Sequence, residues 1–343
     1  MEKQLDNYVI QKRLAPALFG DVLLCEHRPT GERVAVKRVL LSAAAEKKTI
    51  ASKKRVRENV AFERDLYHKF RAIGNHRNVL ALRDEIEFDG YLYMIFDFCA
   101  RGELYEIVSG ADDGKLEVST TRDYLTQIAS GVHFMHSNGF AHRDLSLENV
   151  LVTDDNTCKV CDFGLAAVAD QPSNETVGKM FYMAPEVLSG SAYDPKKADV
   201  WSLGVMLFIM LFGAPPVESA ALTDARFKII SSKGIRHLIG RWGLTESVPA
   251  EAIDLIEGMI QVDPRRRMSI DLVLAHSFLN ANVARPCVVD CVEDCSSKLS
   301  TAVPASAVAV KENRLASKLQ RLFRRSSKRR IMDVSATQTT VVA

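Results

Sequence analysis

His142-Arg143-Asp144-Leu145-Ser146-Leu147-Glu148-Asn149 opens the decisive stretch, which closes thirteen residues past Asn149 at Asp162-Phe163-Gly164. The quoted residues hold three carboxylates, Asp144, Glu148 and Asp162, and the carboxamide of Asn149. Alone, each would read as an ordinary solvated polar group. Working outward changes the weight. About 100 residues earlier, Val34-Ala35-Val36-Lys37 sets a lysine on an alternating run, and Ala184-Pro185-Glu186 follows downstream.

The flanks carry different periodicities. On the N-terminal side, Tyr8–Leu14, Asp21–Glu26, Arg33–Leu40 and Tyr91–Phe98 read as strands, with His27-Arg28-Pro29-Thr30-Gly31 as a turn. The charged, Ala-rich stretch from Ala43 to Phe70 reads as helical. From Leu104 onward the helical period dominates, as at Tyr124, Ile128, Val132 and Met135. Strands first and helices later predict an α+β, bilobal molecule, with a β-rich lobe over about 8–98 and a helical lobe over about 102–279. Periodicity fades after Leu279, so 280–343 reads as a tail.

The 343 residues are 47% hydrophobic and 26% charged, an ordinary globular balance that excludes collagen-like or wholly disordered classes. The net charge of +2 provides no drive toward nucleic acid. Residues 311–330 hold nine basic side chains against one acid, so the remainder is acidic. Seven cysteines in a long chain do not form a disulfide framework. With no apolar leader at Met1–Asp6, a cytoplasmic protein is expected, with the nucleus as an alternative. The apolar run Trp201–Val217 is too short for a membrane span and reads as a buried helix.

Taken in order, Lys37, His142-Arg143-Asp144 with Asn149, Asp162-Phe163-Gly164 and Ala184-Pro185-Glu186 resemble the signature set of the eukaryotic protein-kinase superfamily. The likeness covers residues 8–279. The segment Gly178–Glu186 resembles the serine/threonine type, and the flow from Ala184 to Leu279 is most like the calcium/calmodulin-dependent kinase group. The resemblance implies ATP and Mg²⁺ as cofactors and protein substrates with Ser/Thr acceptors. Lys37 would grip the α/β-phosphates, and Asp162 and Asn149 would hold metal. Asp144 would accept the proton of the substrate hydroxyl. Glu63 is preferred over Glu58 as the acidic partner of Lys37, because Val60, Leu66, Tyr67 and Phe70 put it on an inward helical face. Phe96 resembles the gatekeeper, and Asp97-Phe98-Cys99 the hinge. Leu14, Val22, Ala35 and Leu151 would flank the purine. Glu103, in Gly102-Glu103-Leu104, would lie near ribose or a basic substrate residue. Asp199–Gly204 resembles the start of the central buried helix, and Arg267 would pair with Glu186 as a structural clamp.

Three departures stand out. The glycine-rich phosphate loop reads Ala15-Pro16-Ala17-Leu18-Phe19-Gly20, with only Gly20 retained. Strain at Ala15 and Ala17 predicts a stiffer loop and nucleotide binding weaker by about 1–2 kcal/mol. The loop lysine two residues after the catalytic aspartate is Ser146. The family's threonine before the Ala-Pro-Glu turn is Lys179. Ser146 and Lys179 thus exchange hydroxyl and ammonium. Lys179 either faces solvent or reaches into the site as the missing cation, and the exchange favours the second. The activation-loop threonine aligns with Glu175, a candidate phosphate mimic for Arg143; Ser173 and Thr176 are alternative phosphosites.

In the tail, Leu315, Leu319, Leu322 and Phe323 share one helical face within a basic segment, 311–332. It would meet an anionic membrane surface, a calmodulin-like partner or the chain's own cleft, or remain a solvated tail. Arg324–Arg330 also reads as a nuclear-import patch. Cys287, Cys291 and Cys295 recur every four residues and make at best a weak metal site. A pseudokinase scaffold is the alternative reading, supported by Ala15, Ala17 and Ser146. A small-molecule kinase is disfavoured by Ala184-Pro185-Glu186.

Overall fold

The structure, a computed structural model, describes residues 7–280. The basic segment 311–332 and Cys287, Cys291 and Cys295 lie outside the described residues. Strands β1 (Tyr8–Ala17), β2 (Gly20–His27), β3 (Glu32–Leu40), β4 (Leu82–Phe88) and β5 (Tyr91–Asp97) form one antiparallel sheet in the order β1-β2-β3-β5-β4. The two-residue period sorts β3 by face. Val34 and Val36 join Leu23, Cys25, Ile86 and Ile95 in a small cluster. Ala35, Lys37 and Val39 face the other way, toward the interlobe core. β4 went unread in the sequence because charges dominate it and a bulge at Leu82/Asp84 breaks its alternation. The Asp-Gly pair at its turn is the local signal that could have revealed it. Asp89 (φ 48°) and Gly90 (φ 74°) close a two-residue hairpin between Phe88 and Tyr91.

The continuous helix expected from Ala43 to Phe70 is instead two helices, α1 (Leu41–Glu46) and α2 (Val60–Ala72). Lys47 ends α1 in the left-handed region (φ 51°), and a small hairpin follows, with Lys48 bridged to Arg55. Like charges at Lys47, Lys48, Lys53, Lys54, Arg55 and Arg57 oppose one continuous helix there. α2 restarts at Asn59, whose side chain accepts from the Phe62 amide at 3.2 Å. Its apolar stripe, Val60, Leu66, Tyr67 and Phe70, is buried together with Glu63.

The second lobe contains α3 (Leu104–Gly110), α4 (Val118–Ser137), the short strands β6 (Phe140–Ala141), β7 (Val150–Val152), β8 (Cys158–Val160) and β9 (Ala167–Val168), then α5 (Pro185–Leu188), α6 (Pro195–Phe212), α7 (Ala225–Lys233), α8 (Ile235–Arg241), α9 (Ala250–Met259) and α10 (Ile270–Leu274). Helix α6 is apolar on every side and buried throughout from Pro195 apart from its two lysines, so it is the core of the lobe. Asp194 caps its start through the Lys196 and Lys197 amides, and Gly213 (φ 77°) ends it. Among the described residues, no helix is long and apolar enough to cross a membrane. Strand lobe followed by helical lobe is the bilobal α+β arrangement.

Candidate active site

Each functional side chain is held by an element with its own reason to be there. Lys37 lies on the interlobe face of β3. Its Nζ donates to both oxygens of Glu63, at 2.7 and 2.8 Å, and sits 3.7 Å from Asp162. Desolvation works against the Lys37 charge, but Glu63 and then Asp162 overcome it, and its pKa is raised. Glu58, the other candidate partner, lies instead against Gly164, where an added Cβ would meet its side chain at 3.3 Å.

The 142–149 loop is tied to α6. Asp199, 1% exposed, accepts from the amides of His142 and Arg143, both at 2.8 Å, and contacts His136 Nε2 at 2.9 Å. Arg143 (φ 64°) and Asp162 (φ 65°) both hold left-handed backbone, a strained state for residues with side chains. Asn149 Nδ2 donates to the Asp144 carbonyl (2.7 Å) and to Asp144 Oδ2 (2.9 Å). Lys179 Nζ reaches the same Oδ2 at 3.3 Å and donates to Ser146 Oγ at 2.7 Å. Asp144 Oδ1 is buried with no hydrogen-bond partner among the described residues. Gly178 (φ 101°) brings Lys179 there, and a Cβ on it would lie 2.8 Å from the Arg143 carbonyl.

Phe163 is fully buried and orients Asp162. Its ring packs on Tyr67 and Phe70 of α2, at 5.0 and 5.7 Å, and edge-on to His142 at 5.5 Å. Tyr67 also meets Phe96 at 5.0 Å, so one aromatic stack runs from β5 into the catalytic loop. Asp162 feels desolvation pushing its pKa up, but Lys37, Lys179 and His142 prevail and lower it.

The apolar candidates range from buried to partly exposed. Val22, Ala35 and Leu151 are partly buried, and Leu14 is 39% exposed at a bulge in β1. Phe96 and Cys99 are buried beside partly exposed Asp97. Leu151 and Glu103 form a backbone bridge. Burial, with Glu148 and Glu106 nearby and Lys179 opposing, pushes the Glu103 carboxyl up to about 7. The strain expected in the phosphate loop is not there. Ala15 and Ala17 have no positive φ; they continue the β1 ladder opposite Val22 and Gly20. Gly20 itself is obligatory, because a Cβ would fall 1.8 Å from the Arg38 carbonyl.

These groups fit a magnesium nucleotide. An ammonium is fixed by Glu63, the half-exposed Asp162 carboxylate lies 3.7 Å from it, and the carboxylate atom Asp144 Oδ1 lacks a partner. Among the described residues, no cluster of three or more His, Cys, Asp or Glu is arranged to hold a metal. Mg²⁺ typically needs only one or two carboxylates when phosphates complete its shell.

The family model of the protein kinase domain matches residues 8–279. The chain belongs to the protein kinase family. Similar kinases include serine/threonine-protein kinase kin-29 of Caenorhabditis elegans, 28% identical over 90% of this chain and 34% of the relative. Maternal embryonic leucine zipper kinase of Xenopus tropicalis is 29% identical over 87% of this chain and 44% of its own length. Its Danio rerio counterpart is 31% identical over 82% and 39%. The chain thus spans less than half the length of each of these kinases.

Away from the cleft, Arg267 and Glu186 form the clamp, at 2.5 and 3.0 Å, with the guanidinium stacked on Trp201. In the activation segment, Glu175 accepts from Arg143 at 2.7 Å and lies 3.9 Å from Arg57. The hydrogen bond from Arg143 is the first cause holding the Glu175 carboxyl below its usual range. Ser173 Oγ accepts from the same guanidinium nitrogen at 3.1 Å, and Thr176 donates to the Val187 carbonyl. Sequence reasoning missed the tether at Asp199 as a loop-holding group, although Asp-Val-Trp-Ser-Leu-Gly was noticed for its helix.

Proposed function

We propose that the chain is a Mg²⁺/ATP-dependent protein kinase that phosphorylates Ser or Thr hydroxyls of protein substrates. The observation that carries the reading is Lys179 Nζ lying between Asp144 and Ser146. It supplies the positive charge that the loop itself lacks at Ser146. The name of one relative, serine/threonine-protein kinase kin-29, supports the same class.

The chemistry follows from the groups. Lys37, fixed by Glu63, grips the α/β-phosphates. Asp144 takes the proton of the attacking hydroxyl. The hydroxyl oxygen bonds to the γ-phosphorus, and the bond to the ADP oxygen breaks, with its electron pair leaving on ADP. Lys179 neutralises charge gathering on the transferred oxygens. Asp162 and Asn149 would hold Mg²⁺, which would supply further neutralisation of the phosphates. Glu103 and Glu148 favour a substrate with a basic residue near the acceptor. Free thiols at Cys25, Cys99, Cys158 and Cys161 support a reducing compartment, cytoplasm or nucleus.

The test is incorporation of radiolabel from ATP into a generic basic peptide, with Asp144→Asn as control. Label above the control supports the kinase; equal, negligible label in both, with nucleotide still bound, assigns a scaffold.

A further inference from the structure

The phosphate loop lacks two of its three glycines, yet both carbonyls at its tip are engaged. The Leu40 amide donates to Phe19 O at 2.7 Å, and the Ile50 amide donates to Leu18 O at 3.0 Å. The Phe19 side chain is 4% exposed and joins the core with Val39. Ile50 belongs to the hairpin between α1 and α2. That hairpin is internally bonded: Thr49 N–H to Lys54 O at 3.0 Å, Val56 N–H to Lys47 O at 2.9 Å, and Thr49 Oγ1 to Ser52 Oγ at 2.8 Å. Thr49, buried at 8% exposure, anchors it. Its far end reaches the catalytic side. The Asn59 amide donates to Gly164 O at 2.8 Å, Glu58 packs on Gly164, and Arg57 faces Glu175.

We propose that residues 47–59 are a positioning clasp, with the Ile50 amide holding the phosphate-loop tip over the nucleotide cleft. A glycine-rich loop approaches phosphates through backbone freedom; this loop has little, so its position is set from outside. The same segment touches the residue after Phe163 and the activation segment, so loop position and Asp162 position share one support. The inference rests on the kinase reading only in expecting a nucleotide in the cleft.

The test uses the full chain with a fluorescent ATP analogue and Mg²⁺, plus amide hydrogen exchange across residues 17–20. Ile50→Pro removes the donor, and Ile50→Ala keeps it. Because Val56 N–H already bonds Lys47 O, residues 48–55 can also be replaced by Gly-Gly, a second route if the proline variant does not fold. Loss of the hydrogen bond is expected to weaken analogue binding about fivefold in Ile50→Pro and in the replacement. Exchange at 17–20 accelerates, while Ile50→Ala tracks wild type. A folded replacement with wild-type affinity and unchanged exchange overturns the clasp. If wild type itself does not bind the analogue, the kinase reading fails, and the exchange comparison still decides the clasp.

Discussion

Ser146 and Lys179 stand 2.7 Å apart at the centre of the site, and the order of the two residue types along the chain is inverted relative to the family pattern. An ammonium in a cleft acts by position, not by which segment it came from. Lys179→Thr should therefore cut kcat by about 10²–10³, the usual loss for one transition-state donor. Adding Ser146→Lys should restore much of it, measured as steady-state turnover on a basic peptide. A double variant as slow as the single would remove the exchange. Glu103 gives a pH signature. Its carboxyl is held near 7, so it is neutral below and charged above. A basic substrate residue needs the charged form. Peptide KM should fall as pH rises from about 6 to 8, and Glu103→Gln should flatten that profile.

At the scale of elements, the phosphate loop and the activation segment make separate predictions. Ala15 and Ala17 lie in extended ladder positions, so glycine there relieves no strain and only frees the unfolded chain. Ala15→Gly/Ala17→Gly should bind ATP no tighter than wild type in calorimetry. In the activation segment, phosphatase-treated protein should keep its turnover, while Glu175→Ala should lose it severalfold, because Arg143 is then left without its carboxylate. Legibility in the sequence divided along the same lines. β3, α6 and the tripeptides around Asp144 and Asp162 were readable because period and spacing are local. The break between α1 and α2 was not, because alanines and lysines favour helix while the hairpin is stabilised by contacts at Leu18 and Gly164, far away in sequence. β4 was hidden by its charges, though Asp89-Gly90 marked its end. The pairing of Lys37 with Glu63 rather than Glu58 followed from the apolar stripe, whereas the backbone conformation of Ala15 and Ala17 depended on partners no local pattern reveals.

Across the whole molecule, the candidate site depends on the helical core. Asp199 within α6 holds the 142–149 loop, and Arg267, with 0% side-chain exposure, ties Glu186 to the far end of the lobe. Removing one partner of such a buried pair leaves the other uncompensated. Arg267→Ala should lower stability by about 3–5 kcal/mol in denaturant titration. Glu175 bears on the molecule in another way. A carboxylate is part of the chain from the moment of synthesis, and no phosphatase strips it away. With Arg143 already paired to a carboxylate, position 175 itself offers no hydroxyl on which a phosphate could be placed.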